Sequence, residues 1–210
     1  MQNRAKISCM LVVTLVVAIA ATFFCACQNT PDDIPVVNTT PNLLFPQEFV
    51  GAASGKTVQI VSIGQSNDAS DLAYRLKFTD IGYNYNENLS AADLSQGDVL
   101  FVVVGCSMKG MAEKGTTKEQ ELARAEEFVA ARSKGVTVIA WHTGGVARRG
   151  NTSDSLIEYV FSHADLALFN EKGNFDNMLN HWAESAHVCY CQFSVLTDVL
   201  DALNGGEADV

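Results

Sequence analysis

Thirteen consecutive residues, His142 to Asp154, concentrate the side chains and glycines from which a binding site is built. Gly144-Gly145 permits tight turning and close backbone approach. Arg148-Arg149 is the only adjacent basic pair beyond residue 26. Ser153 and Asp154 follow where a helix is expected to begin. Positive charge gathered in a glycine loop ahead of a helix N-terminus suits an anion. Free N–H groups and the helix dipole assist it, and a guanidinium can grip a carboxylate or phosphate through two parallel bonds. Each charge-assisted bond contributes about 1.5–3 kcal/mol. Two other readings stand beside this one. The arginines can pair with Asp154, Glu158 or other acids and only brace the loop, or the loop can be a protein-contact surface.

Two further glycine turns carry polar groups. Gly64-Gln65-Ser66 follows an apolar run, and Gly105-Cys106-Ser107-Met108-Lys109-Gly110 follows another. Gln65, Ser66, Ser107 and Lys109 are candidate ligand contacts. Gly105 to Gly110 reads Gly-x-Ser-x-x-Gly, one residue off the nucleophile elbow, and it lacks the Gly-Lys-Ser/Thr of a P-loop. A hydrolase would use Ser107 as nucleophile, His142 as base and Asp154 or Asp176 as orienter; an ordinary turn is the plain alternative. His142 closes a buried run and reads as a hydrogen-bonding rim residue. His163, His181 and His187 lack ligand spacing, so no zinc site is expected. Cys189 and Cys191, two apart on an expected strand, face one side. A bridge between them would be strained, and they read as small core residues.

Those loops need a scaffold that brings them together, and the intervening sequence describes one. Apolar runs at Val58–Ile63, Ile81–Tyr85, Asp98–Val104, Val136–Trp141, Leu166–Phe169 and Val188–Phe193 alternate with helical patterns. The helices are expected at 68–78, 117–134, 153–162, 174–186 and 195–203. Thr117 and Gln120 have capping-box spacing, and Gly135 stops that helix. The run Val99–Val104 is apolar throughout, as in a strand buried on both faces of a parallel sheet. Alternation of this kind predicts an α/β fold: an open, doubly wound, mostly parallel sheet of five or six strands, Rossmann-like or flavodoxin-like. Ligands of such sheets bind beyond the carboxyl ends of the strands. The loops after the first, third, fourth and fifth strands are the polar ones.

The chain has 210 residues, 48% hydrophobic and 18% charged, with a formal charge of −10. That composition excludes disorder for the bulk of it, and the acidic balance argues against nucleic acid. Arg4 and Lys6 precede an uncharged segment from Ile7 to Cys27, the form of a secretory signal. Ala26-Cys27 resembles a bacterial lipoprotein cleavage site with Cys27 lipidated. An uncleaved anchor and plain secretion are the alternatives, and all three place the domain outside the cytoplasm. Without residues 1–26 the chain keeps 12 basic and 24 acidic residues, a net of −12. All four prolines fall between Pro31 and Pro46. Residues 27–55 therefore read as lipidation site and extended tether, with an ordered arm packed on the domain as the alternative. Residues 56–205 form a single α/β domain and 206–210 a tail.

The Gly64-Gln65-Ser66 turn, the run Val104 to Gly110 and the Gly-Gly-x-x-Arg-Arg-Gly-x-x-Ser-Asp string of Gly144 to Asp154 together resemble a family of exported bacterial α/β proteins without an assigned activity. The resemblance spans about residues 57–204. It implies the fold and the rim cluster and supplies no reaction. The expectation is a membrane-tethered, extracytoplasmic domain that binds a small anionic solute, a carboxylate or phosphate, at the cell envelope. Gln65, Ser66, Ser107, Lys109, His142, Gly144, Gly145, Arg148, Arg149, Ser153 and Asp154 would form its site, without cofactor or metal. The competing expectations are a hydrolase or transferase using Ser107 or His142, and a module that docks an envelope protein. A Rossmann-type nucleotide site is disfavoured, since no Gly-x-Gly-x-x-Gly follows the first strand.

Overall fold

A computed structural model describes residues 45–206. Six strands alternate with helices in chain order. They are β1 (Thr57–Ile63), β2 (Gly82–Tyr85), β3 (Val99–Val104), β4 (Thr137–His142), β5 (Leu166–Asn170) and β6 (Cys189–Phe193). The helices are α1 (Asp68–Leu76), α2 (Met108–Lys114), α3 (Lys118–Ala130), α4 (Asn151–Phe161), α5 (Met178–Ser185) and α6 (Leu196–Leu203). The sheet order is β2-β1-β3-β4-β5-β6, and every neighbouring pair is parallel. This is the flavodoxin-like 2-1-3-4-5 order with one strand added, and its switch point lies between β1 and β3.

Period-two alternation divides the strand residues between two cores. Val61, Ile63, Leu100, Val102, Val104, Val138 and Ala140 face α3, α4 and α5. Val58, Ile60, Phe101, Val103, Ile139 and Trp141 face α1 and α6. Every residue of Val99–Val104 is buried, which is why that run shows no polar alternation. Trp141 packs on Phe101 in a tilted arrangement at 5.3 Å between centroids and edge-on against Phe193 at 6.0 Å.

Helix starts follow the side chains that close them. At α3 the Thr117 hydroxyl accepts from the Gln120 N–H at 3.3 Å, while the Thr117 N–H donates to Gln120 Oε1 at 2.9 Å. Both bonds of the expected capping box are thus formed. Helix α2 corrects the reading of Gly105–Gly110 as a plain turn. Ser107 caps it, accepting from the Gly110 N–H at 3.1 Å, so Met108, Lys109 and Gly110 are helical. Glycine in this first turn had disguised the helix.

Residues 45–55 pack on the domain. Phe45 and Ala53 are buried, and the Gly51 and Ala53 amides donate to the carbonyls of Ala202 and Leu203 at 2.9 Å. The signal segment, Cys27 and the proline-rich stretch before Phe45 lie outside the described residues. Among the described residues no helix is long and apolar enough to cross a membrane.

Candidate functional site

Parallel strands put the ends of β1, β3, β4 and β5 on one rim, so the four polar loops converge there. The first loop turns on Gly64 (φ +88°), where a Cβ would stand 2.6 Å from the Gly105 carbonyl oxygen. The Gly64 N–H donates to Glu121 Oε2 and Gln65 Nε2 donates to Glu121 Oε1, both at 2.8 Å. Glu121, on α3, is buried. Gln65 is thereby spent on holding the β1 loop to α3. Ser66 is buried too, and its hydroxyl accepts from the Asp68 N–H at 3.4 Å.

The two arginines of the third loop differ in their commitments. Arg149 is 3% exposed. Its Nε donates to Asp154 Oδ1 at 2.7 Å, and its terminal nitrogens meet both Asp176 oxygens at 3.1 and 3.0 Å and the Gly173 carbonyl. The rings of Phe175 and Trp182 lie 5.3 and 5.4 Å from the guanidinium carbon. Burial alone would lower the Arg149 pKa; the bonds to Asp154 and Asp176 outweigh it and hold the pKa above the ordinary arginine value. Bracing describes Arg149. Arg148 is 32% exposed, and its Nε reaches Asp68 Oδ1 at 3.4 Å. Its terminal nitrogens make no hydrogen bond among the described residues. Asp68 is itself buried, and its Oδ2 has no partner there. Gly144 is required by this pair: a Cβ there would run into the Arg148 stem and stand 3.2 Å from Asp68 Oδ2.

His142 is fully buried, with Nδ1 2.9 Å from the Val104 carbonyl oxygen. A carbonyl only accepts, so Nδ1 carries the proton. Nε2 is buried without a partner among the described residues. Burial pushes the imidazole pKa down, against the opposing influence of that bond and of Asp68, which makes it a neutral core group at pH 7. No hydrogen bond joins Ser107 to His142, or His142 to Asp154 or Asp176, among the described residues. The Ser107 hydroxyl caps α2 instead, and the triad geometry is not assembled.

Three depressions formed by the described residues open around the rim. One of about 370 Å³ lies between Cys106–Met108 and Ala147–Ser153, and it gathers Ser107, Arg148, Arg149 and Ser153. At its floor the Cys106 N–H donates to the Ser153 hydroxyl at 2.8 Å. The first turn of α4 opens here behind Gly150 (φ +122°) without a side-chain cap. The Asp154 carboxylate turns back to the Gly150 N–H at 3.0 Å. A second depression, about 130 Å³, takes in Gln65 and Ser66. The third is a cleft of about 690 Å³ between α1 and the β6–α6 turn, lined by Asp68, Arg75, Thr143 and apolar groups including Leu72 and Phe193. Lys109 borders none of the three; 86% exposed, it faces Glu113 at 3.7 Å. Gly145 lies in the β4 loop beside Lys172.

Asp68, Glu121 and Asn174 escaped the sequence reading. Asp68, the first residue of α1, is the charged residue that directly follows the first loop, and it offered a signal. Glu121 offered none, since a glutamate in the first turn of a helix is ordinarily solvated. Asn174 is buried and holds the β5 loop through Asn180, Gln192 and the Leu179 N–H. Among the described residues Cys106, Cys189 and Cys191 form no disulfide. Burial pushes Cys189 up to about 11 and Cys191 up to about 12, so neither is a thiolate near neutral pH.

No curated protein and no solved structure matches this chain. The family model described as Domain of unknown function (DUF6305) matches residues 55–205, and the chain belongs to that family.

Proposed function

We propose that this member of the family is a membrane-tethered, extracytoplasmic binding domain whose ligand carries a carboxylate or phosphate, seated in the depression between Cys106–Met108 and Ala147–Ser153. One observation carries the reading: Arg148 and the uncapped first turn of α4 share that depression. N–H groups of a helix start and a guanidinium with uncommitted terminal nitrogens are complementary to an oxyanion. Arg149 fixes the loop from beneath, and Ser107 and Ser153 supply hydroxyls at the wall. The anchoring part rests on Arg4, Lys6, the apolar segment and Ala26-Cys27.

The binding claim is tested by the melting temperature of the full chain in detergent, titrated with inorganic phosphate, citrate and glucuronate against matched chloride. A saturable rise is expected for at least one of them, lost in Arg148→Gln and partly kept in Arg148→Lys. Equal behaviour of all three salts and chloride sinks it. Anchoring is tested by palmitate labelling of the full chain in a bacterial host. Label is expected in the wild type and absent in Cys27→Ser; a wild-type chain that stays unlabelled removes the lipid.

A further inference from the structure

Three sulfur atoms meet at the end of β3, and the anion reading uses none of them. Cys106 Sγ lies 3.3 Å from Met111 Sδ and 3.9 Å from Met108 Sδ. The spacing Cys-x-Met-x-x-Met brings them together: Cys106 ends the strand extension, and Met108 and Met111 are one turn apart on α2, on the same face. Met111 is buried and Met108 is 69% exposed. Cys106 and Met108 line the 370 Å³ depression, so solvent reaches the cluster from one side.

We propose that Cys106, Met108 and Met111 form a binding site for monovalent copper. One thiolate and two thioethers are a soft donor set, which selects Cu(I) over hard cations. Among the described residues no group of three or more His, Cys, Asp or Glu could hold an ion, so a zinc-type donor set does not compete at this place. The distances fit. At a metal–sulfur length of about 2.3 Å, that of the d10 ion zinc on thiolate, trigonal ligands stand about 4.0 Å apart. The Cys106–Met108 separation already has that value. Met111 must withdraw by several tenths of an ångström, which an unbranched thioether side chain accommodates by rotation. Binding is ligand exchange without electron transfer: the Cys106 S–H bond breaks, its proton passes to water, and sulfur bonds to copper. The thiolate cancels the charge of the ion, so the complex is neutral beside Arg148.

The test is anaerobic competition between the full chain in detergent and a chromophoric Cu(I) chelator, with copper X-ray absorption on the product. The wild type is expected to withdraw one Cu(I) more than Cys106→Ser, whatever the other cysteines hold. Met108→Leu, at an exposed position where folding is not at stake, and Met111→Leu are expected to weaken retention, and the absorption to show a three-sulfur shell. Arg148→Gln is expected to keep the copper, which separates this site from the anion site. Equal withdrawal by wild type and Cys106→Ser overturns the proposal, and so does unchanged retention in both methionine variants.

Discussion

Arg148 and Arg149 are adjacent in the chain, yet the Arg149 side chain is 3% exposed between two carboxylates while that of Arg148 is 32% exposed and, among the described residues, makes a single long bond, to Asp68. A two-residue basic motif is thus divided between a structural task and an accessible one. The fold imposes the division. Asp154 comes from α4 and Asp176 from the β5 loop, and Arg149 ties the two loops together through the Gly173 carbonyl as well.

Removing each arginine should therefore have different consequences. Arg149→Ala strips a buried cation from Asp154 and Asp176, and breaking a buried pair from one side costs about 3 kcal/mol. The acids are about one-third exposed, which places the loss at the low end of such cases. Arg149→Lys keeps the charge but not the planar fork, and should recover only part. Arg148→Gln should cost less, about 1–2 kcal/mol: the pair is long and Arg148 is partly solvated, but Asp68 is left buried without its cation. Urea unfolding midpoints of the three variants decide this, and equal losses for Arg148→Gln and Arg149→Ala would contradict it.

Glu121 is the second point of leverage, because one carboxylate satisfies both the Gly64 amide and the Gln65 side chain. Glu121→Gln leaves a single oxygen for the Gly64 and Gln65 donors, gives up the ion pair with Arg124 at 3.4 Å, and should cost about 1–2 kcal/mol. Glu121→Leu leaves both donors unpaired and should cost about 3 kcal/mol. The loss should be local first: the Gly64 amide, now protected, should exchange with solvent faster in Glu121→Leu than amides in the centre of β3. Uniform acceleration across the sheet would mean that Glu121 supports the fold generally and not the β1 loop.

The difference between what could and could not be read from sequence has a physical basis. Strands β3 and β4 announce themselves, since a run buried on both faces must be apolar along its whole length. Helix α3 announces itself through its cap. The convergence of four loops follows from parallel pairing, so the rim was legible as a place. The division of labour within it was not. Whether an arginine is free depends on acids brought in from residues 154 and 176, and whether Gln65 faces solvent depends on Glu121, 56 residues away. Helix α2 was missed because Gly110 sits in its first turn, where a Cβ would strike the Gln65 carbonyl. A tertiary contact overrode local propensity there. The sulfur cluster was invisible for a related reason: Met108 and Met111 share a face only once that segment is known to be helical.

His142 links stability to pH, and the sign follows from its burial. Its folded pKa lies below the ordinary 6.5, chiefly through burial. Between the two values the unfolded chain binds a proton at this site and the folded chain does not, so unfolding takes up protons and stability rises with pH. The stabilisation is fully present above about pH 6.5 and declines as pH falls toward the folded value, by up to about 1.4 kcal/mol per pH unit. His142→Asn retains a side-chain N–H for the Val104 carbonyl but cannot titrate. Its unfolding free energy should therefore fall less steeply between pH 6.5 and 5 than that of the wild type, even if a smaller side chain lowers its stability at pH 7.5. The comparison needs only urea melts at four pH values on each protein. Parallel curves across that window would show that the buried imidazole is not what makes the fold acid-sensitive.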